Sequence, residues 1–80
     1  MPNDYTDPKL RFPRLEVQIW TIKNEVYFVD VWLRHRPGNF RHRVMTNEQA
    51  GSFEEAQKLV RKCAAQYHAF VDPDDITTSW

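Results

Sequence analysis

Two runs of β-forming residues, separated by a short turn, constrain the fold of this chain most strongly. Residues 15–22 and 26–34 are rich in Val, Ile, Trp, Tyr and Phe, and Lys23-Asn24-Glu25 separates them. A slip of one residue would mix apolar and polar partners, so burial of one face favours a single register. A three-residue loop predicts these opposed pairs on the buried face: Ile19 and Val29, Val17 and Val31, and Leu15 and Leu33.

A third strand is predicted after a proline-glycine turn. Arg36-Pro37-Gly38-Asn39 has Pro before Gly, the order that a type II turn prefers, and residues 40–46 follow as a strand. If the chain forms a hairpin about this turn, Val44 is predicted to lie opposite Val31, and His42 opposite Leu33, on the apolar face.

A capping box marks the start of a helix. In Ser52-Phe53-Glu54-Glu55 the Ser52 hydroxyl can accept from the Glu55 N–H, and the Glu55 side chain can return to the Ser52 N–H. The apolar stripe that follows has helical spacing and comprises Phe53, Ala56, Leu59, Val60, Cys63, Ala64 and Tyr67. The predicted fold class is therefore α+β: a three-stranded antiparallel sheet (β-β-β-α) with one C-terminal helix packed on one face.

The length of 80 residues predicts one core, flanked by two less regular ends. Residues 1–14 contain three prolines and are expected to form an extended arm, which Tyr5, Leu10 and Phe12 could staple down. Residues 15–71 form the β-β-β-α domain. Residues 72–80 are expected to form an acidic tail, frayed or folded back on the basic sheet face.

Composition argues for a cytoplasmic protein without a cofactor. Cys63 is the one cysteine, so no internal disulfide is expected, and neither a signal peptide nor an apolar run long enough to cross a membrane is seen. Three scattered histidines lack the spacing of a zinc site, and two glycines cannot form a phosphate loop. No metal or cofactor is expected, and Cys63 is predicted to be a buried, inert thiol.

The second face of the sheet carries the candidate functional residues. Alternation assigns to it Glu16, Gln18, Trp20, Phe28, Asp30, Trp32, Arg34, Arg41, Arg43 and Met45. Trp20 is predicted opposite Phe28, and Trp32 opposite Arg43. Arg34 would oppose Arg41, and such like charges favour an anion or a carboxylate between them. The predicted partner-binding residues are Trp20, Phe28, Trp32, Arg34, Arg36, Arg41 and Arg43.

These residue types predict a non-catalytic binding module, a regulator or inhibitor of a protein or nucleoprotein partner, as phage and mobile elements often encode. Recognition of DNA or RNA by stacking and phosphate contacts is the alternative, weakened by a net charge of zero. A homodimer would use the same face. The plainest interpretation is that Glu16 and Asp30 neutralise two arginines on a solvated surface.

Catalysis has less support in the sequence. A small ribonuclease-like enzyme could combine His35, His42 or His68 with Asp30 or Tyr67 as a general acid and base, but their spacing supports no specific site. His42 is predicted to be a half-buried packing residue. The expectation is therefore that the chain is not an enzyme.

The predicted strand order, followed by Gly51-Ser52-Phe53-Glu54-Glu55-Ala56 and Cys63-Ala64-Ala65, resembles the AP2-type and integrase arm-binding domains. The resemblance covers about residues 15 to 70, and the pattern is shared by many small β-β-β-α families. It implies a three-stranded sheet that lies in the DNA major groove. The chain departs from the AP2 pattern because it lacks that family's basic N-terminal strand motif and has an acidic end.

Overall fold

The computed structural model describes residues 11–23, 25–38 and 40–79, and it contains four strands and one helix in those ranges. The strand order is β3-β2-β1-β4. Neighbouring strands are antiparallel except for β4, which runs parallel to β1. The fold is thus a mixed four-stranded sheet with one helix, whose elements are β1 (Arg14–Ile22), β2 (Val26–Arg34), β3 (His42–Ala50), α1 (Phe53–Tyr67) and β4 (Phe70–Ser79).

The β1–β2 hairpin confirms the predicted register in full. Ile19 lies opposite Val29, Val17 opposite Val31 and Leu15 opposite Leu33. All six side chains are at most 2% exposed, because α1 packs on this face and excludes water from it. The alternation of apolar residues therefore determines which face of the hairpin becomes the core.

Helix α1 begins as the capping box predicts. Ser52 has extended backbone, and its hydroxyl accepts the Glu55 N–H at 3.1 Å. Three stripe residues, Ala56, Val60 and Cys63, are buried against the sheet. Burial raises the pKa of the Cys63 thiol above its ordinary value, so the thiol stays protonated at neutral pH, as expected of an inert cysteine.

Strand β3 differs from its prediction in extent and register. It runs from His42 to Ala50 rather than over residues 40–46, and Met45, not Val44, lies opposite Val31. Two register shifts cause the difference, and near one of them Asn47 has a φ of 50°. The Asn47 N–H donates to the buried Asp30 carboxylate at 2.8 Å. Met45, predicted on the second face, instead packs against the core.

The acidic end of the chain is a strand, so the predicted frayed tail was wrong. Val71 and Ile76 lie opposite Leu15 and Val17, and both pack against the core. Between them the ladder breaks, which leaves 72–75 as a bulge at the level of Glu16. Partial burial of these two apolar side chains stabilises the strand. This offsets the loss of backbone entropy and the repulsion among the acidic side chains, both of which disfavour an ordered chain end.

The N-terminal arm is described only from Arg11 onward, so the predicted contacts of Tyr5 and Leu10 lie outside the described residues. In the turn before β3, Gly38 has a φ of 124°, which agrees with the positive φ predicted there. Over residues 11–23, 25–38 and 40–79, no helix is long and apolar enough to cross a membrane.

Candidate binding face

The sheet surface opposite α1, here called the open face, has an aromatic patch along its two central strands, β2 and β1. Trp20 and Phe28 are cross-strand partners whose rings stack, with centroids 5.5 Å apart and planes 21° apart. Trp32 lies two positions after Asp30 on the same face of β2. All three aromatic side chains are partly exposed, so the patch presents apolar area to solvent.

Two guanidinium groups lie over the Trp32 ring. The Cζ atoms of Arg41 and Arg43 are 4.6 and 4.9 Å from its centroid. The negative face of the indole ring attracts each cation, and the planar guanidinium groups stack on it. The predicted pairing of Trp32 with Arg43 is present in the ladder. Trp32 therefore holds two exposed arginines in place without neutralising either charge.

A carboxylate lies between Arg34 and Arg41, where like charges predicted one. Glu16 accepts from Arg34 at 2.8 Å and also accepts from Arg41. Arg34 donates to the Gly38 carbonyl as well, and its Nε is buried with no hydrogen-bond partner among residues 11–23, 25–38 and 40–79. The direct Arg34–Arg41 ladder pair is absent from the described register, because β3 begins at His42 and Arg41 precedes it.

The Glu16 carboxylate should make stability depend on acid pH. Partial burial raises its pKa, but hydrogen bonds and charge attraction from Arg34 and Arg41 outweigh this, so the pKa falls below 4.5. A lowered pKa in the folded state contributes stability above the unfolded value, and that contribution is lost as pH falls through the folded value. We expect urea unfolding to show a drop in stability below pH 4.5 that is smaller in Glu16→Gln. An identical pH profile in both proteins would contradict this.

A second ion cluster joins β1 to the acidic strand. Arg14, which is 6% exposed, donates its Nε to Asp75 at 3.0 Å and its Nη2 to Asp72 at 3.3 Å. Its guanidinium also lies 5.6 Å from the Phe70 ring. Sequence reasoning missed Arg14, Asp72 and Asp75 as a group because 58 and 61 positions separate the partners. The positive charge of Arg14, at the start of β1, was the one available signal.

A shallow cleft of about 360 Å³ runs across the open face from Trp32 to the bulge of β4. Its walls have opposite charge: Arg41 is on one side, and Asp74 and Asp75 are on the other. The remaining lining residues are Glu16, Val17, Gln18, Trp32 and Thr77. The cleft is therefore polar and open rather than an enclosed apolar pocket.

The open face is polarised across its strands. The basic margin, on the β3 side, consists of Arg36, Arg41 and Arg43, all of which are exposed. The acidic margin, on β4, consists of Asp72, Asp74 and Asp75. Of the predicted site residues, Trp20, Phe28, Trp32, Arg34, Arg41 and Arg43 are brought together between these margins, and Arg36 lies in the adjoining turn.

In the part of the chain that the structure describes, no side-chain hydrogen bond or ion pair joins the histidines to the proposed catalytic partners, Asp30 and Tyr67. His35 and His42 stack with centroids 5.4 Å apart, whereas His68 caps the end of α1. His42 is exposed at the corner of the sheet, so its predicted packing role was wrong. Asp30 lies on the open face and bonds Asn47. Among the residues that the structure describes, no three His, Cys, Asp or Glu side chains are grouped to hold a metal ion.

The fourth strand departs from the three-stranded sheet that the AP2-type resemblance implies. The parallel pair of β4 and β1 also places an acidic margin beside the open face. Function is therefore inferred from the geometry of this face. Comparisons with protein-family models, curated proteins and solved structures found no match for the chain.

Proposed function

We propose that this chain is a non-catalytic binding module whose open face contacts a protein partner. The observation that carries the proposal is the Trp32 ring beneath Arg41 and Arg43, on the same sheet face as the stacked Trp20–Phe28 pair. Tryptophan and arginine are the residue types most enriched where interfaces gain their binding energy. Here their side chains are already ordered by contacts with each other, which lowers the entropy cost of binding.

The charges on the open face favour a protein over a nucleic acid. Arg14, Arg34 and Arg41 each have a carboxylate partner, supplied by Glu16 or by β4. A surface that follows a phosphate backbone needs uncompensated cations along its length. Mixed charges around aromatic anchors are instead typical of the rim and centre of a protein interface.

The two edges of the sheet are unsuited to strand addition, which leaves the face as the binding surface. β3 contains two register shifts, and β4 contains Pro73 within its bulge. Bulges and proline interrupt the row of hydrogen-bonding groups that an added strand requires. A module that binds through a sheet face covers part of its partner's surface. Covering a functional surface is one way in which a regulator or an inhibitor acts.

Site-specific photocrosslinking tests the proposal directly. A photoreactive residue at the exposed Gln18 on the open face should crosslink to a protein in an extract of the source cells. The same probe at the exposed Lys62 on α1 is the matched control and should not give that product. Trp32→Ala and Arg43→Ala, each checked for an unchanged circular dichroism spectrum, should reduce the Gln18 product at least about tenfold.

Equal crosslinking from Gln18 and Lys62, or a Gln18 product unaffected by both substitutions, would reject the open face as the binding surface. The test does not require the partner to be known beforehand, because mass spectrometry identifies what is joined to the chain.

Nucleic-acid binding is the second candidate, and Arg43 is the observation that favours it. Arg43 is exposed, stacks on Trp32, and has no carboxylate partner among the described residues. Fluorescence titration with single-stranded DNA and RNA over a range of salt concentrations separates the candidates. We expect no binding at physiological salt. Affinity that falls steeply with salt and is lost in Arg43→Ala would favour nucleic acid instead.

A further inference from the structure

The open face is complementary to itself, and we propose that its protein partner is a second copy of this chain, packed face to face. This inference rests on the proposed function, because it names the occupant of the same surface. The charges indicate the arrangement: the basic margin lies on the β3 side and the acidic margin lies on β4, at opposite sides of the aromatic patch.

A two-fold axis parallel to the strands brings unlike margins together. Rotation about such an axis turns the second sheet over and places its β4 above β3 of the first, and its β3 above β4. Each basic margin then faces an acidic margin, and the contact occurs twice, as an isologous interface requires. An axis perpendicular to the strands would instead place β3 above β3 and oppose like charges, which disfavours that arrangement.

The two charged groups also lie at the same height along the strands. Arg43 is paired with Trp32, and Trp32 is paired with Glu16. The bulge 72–75 lies beside Glu16, between the partners of Leu15 and Val17. Rotation about an axis parallel to the strands preserves this height, so Arg43 of one copy meets the β4 bulge of the other. The stacked Trp20–Phe28 pairs of the two copies meet on the central strands, four residues along the strands from the charged contacts, and Trp32 of each copy faces Glu16 of the other.

The area of the face is sufficient for a specific dimer interface. Four strands spaced about 4.8 Å apart, and about nine residues long at about 3.3 Å each, present roughly 550 Å² per copy. The pair would bury more than about 1,000 Å², the lower range of specific protein interfaces. Two sheets packed in this way form a sandwich with the helices on the outside.

A charge exchange tests this arrangement. Arg43→Glu and Asp74→Lys each change an exposed residue and reverse one side of both contacts. Each variant alone should be monomeric by light scattering at concentrations where the unmodified chain is a dimer, with a dissociation constant at least about tenfold higher. Their equimolar mixture should form a dimer again. In the mixed dimer the introduced glutamate of one copy meets the introduced lysine of the other, and the unmodified Asp74 and Arg43 meet at the second contact.

Glu54→Lys on α1 is the charge-reversal control and should remain dimeric, since Glu54 is exposed on the helix and not on the open face. Urea unfolding of the monomeric variants, compared at equal concentration, verifies that each is folded.

An unmodified chain that stays monomeric at high micromolar concentration overturns the dimer. So do single variants that remain dimeric, or a mixture that does not recover the dimer. A monomeric chain that crosslinks from Gln18 to a different protein overturns this inference while the proposed function stands. A dimer whose Gln18 probe joins two copies of the chain supports both.

Discussion

Arg14→Ala is expected to lower the free energy of unfolding by about 3 kcal/mol and to release β4 from the sheet. The Arg14 side chain is 7% exposed, and it is the cation that Asp72 and Asp75 share. Without it, two partly buried carboxylates lie close together, and the described part of the chain pairs no other cation with them. The carboxylates are 16% and 27% exposed, so β4 can move them into water by leaving β1, which limits the loss.

Urea unfolding followed by circular dichroism measures this loss, and hydrogen exchange at residues 76–79 reports the release of β4. Arg14→Lys should retain part of the stability, because it keeps the charge but loses the planar fork that reaches both carboxylates. Arg43→Ala, measured below the concentration at which any dimer forms, is the matched control and should change stability by less than about 0.5 kcal/mol. If Arg14→Ala behaves like that control, the ion cluster does not hold β4.

Ile19→Ala should lower the free energy of unfolding by about 2–5 kcal/mol. The Ile19 side chain is 0% exposed, lies opposite Val29 and has β4 on its other side. Truncation would leave a cavity that neither neighbouring strand can close without breaking its register. For a chain of this length the total stability is of the order of 4–12 kcal/mol, so this one change could leave the domain marginally folded.

Ile22→Ala provides a matched control for the same chemical change. Ile22 lies at the end of the same strand but is 53% exposed, so we expect a loss below about 0.5 kcal/mol. Denaturant unfolding monitored by tryptophan fluorescence compares the two variants. Equal losses would contradict the assignment of Ile19 to the core.

The elements that sequence reasoning predicted well are those in which short-range patterns and burial agree. The β1–β2 register followed from the alternation of apolar and polar residues, because a slip of one residue would expose Val17 and Val29 to solvent. The start of α1 followed from Ser52 and Glu55, since a capping box satisfies its hydrogen bonds within three residues. The alternation and the capping box both act between residues close in sequence, and packing of the helix on the sheet favours the same structures.

The elements that could not be predicted depend on distant partners. The bulges of β3 involve Asp30, which accepts from Asn47 across the sheet at a separation of 17 positions. The β4 strand contains Asp72, Pro73, Asp74 and Asp75, a composition typical of a tail, and Arg14 is the cation that the described residues pair with it. Val71 and Ile76 were apolar residues that could bury, but their spacing across a bulge does not follow the two-residue period.

The sequence predicted which aromatic side chains share the open face, but not how charge is distributed across it. Alternation placed Trp20, Phe28 and Trp32 on one face, as the ladders have them. It also indicated a carboxylate between Arg34 and Arg41, which Glu16 supplies. An acidic end folded back on this face was one of the two predicted states of residues 72–80, but its place in the sheet as β4 was not predicted. That strand changes a basic aromatic surface into a polarised one.

The short link between α1 and β4 ties the two elements into one opening unit. His68 has a φ of 53°, its N–H and that of Ala69 bond the carbonyls of Ala65 and Ala64, and the next N–H, that of Phe70, donates to Pro13. These three consecutive N–H groups are all bonded, so the last helical turn leads directly to the first hydrogen bond of the strand. Amide protons in that turn should therefore exchange at the same rate as those of β4, as one cooperative segment near the carboxyl end of the chain.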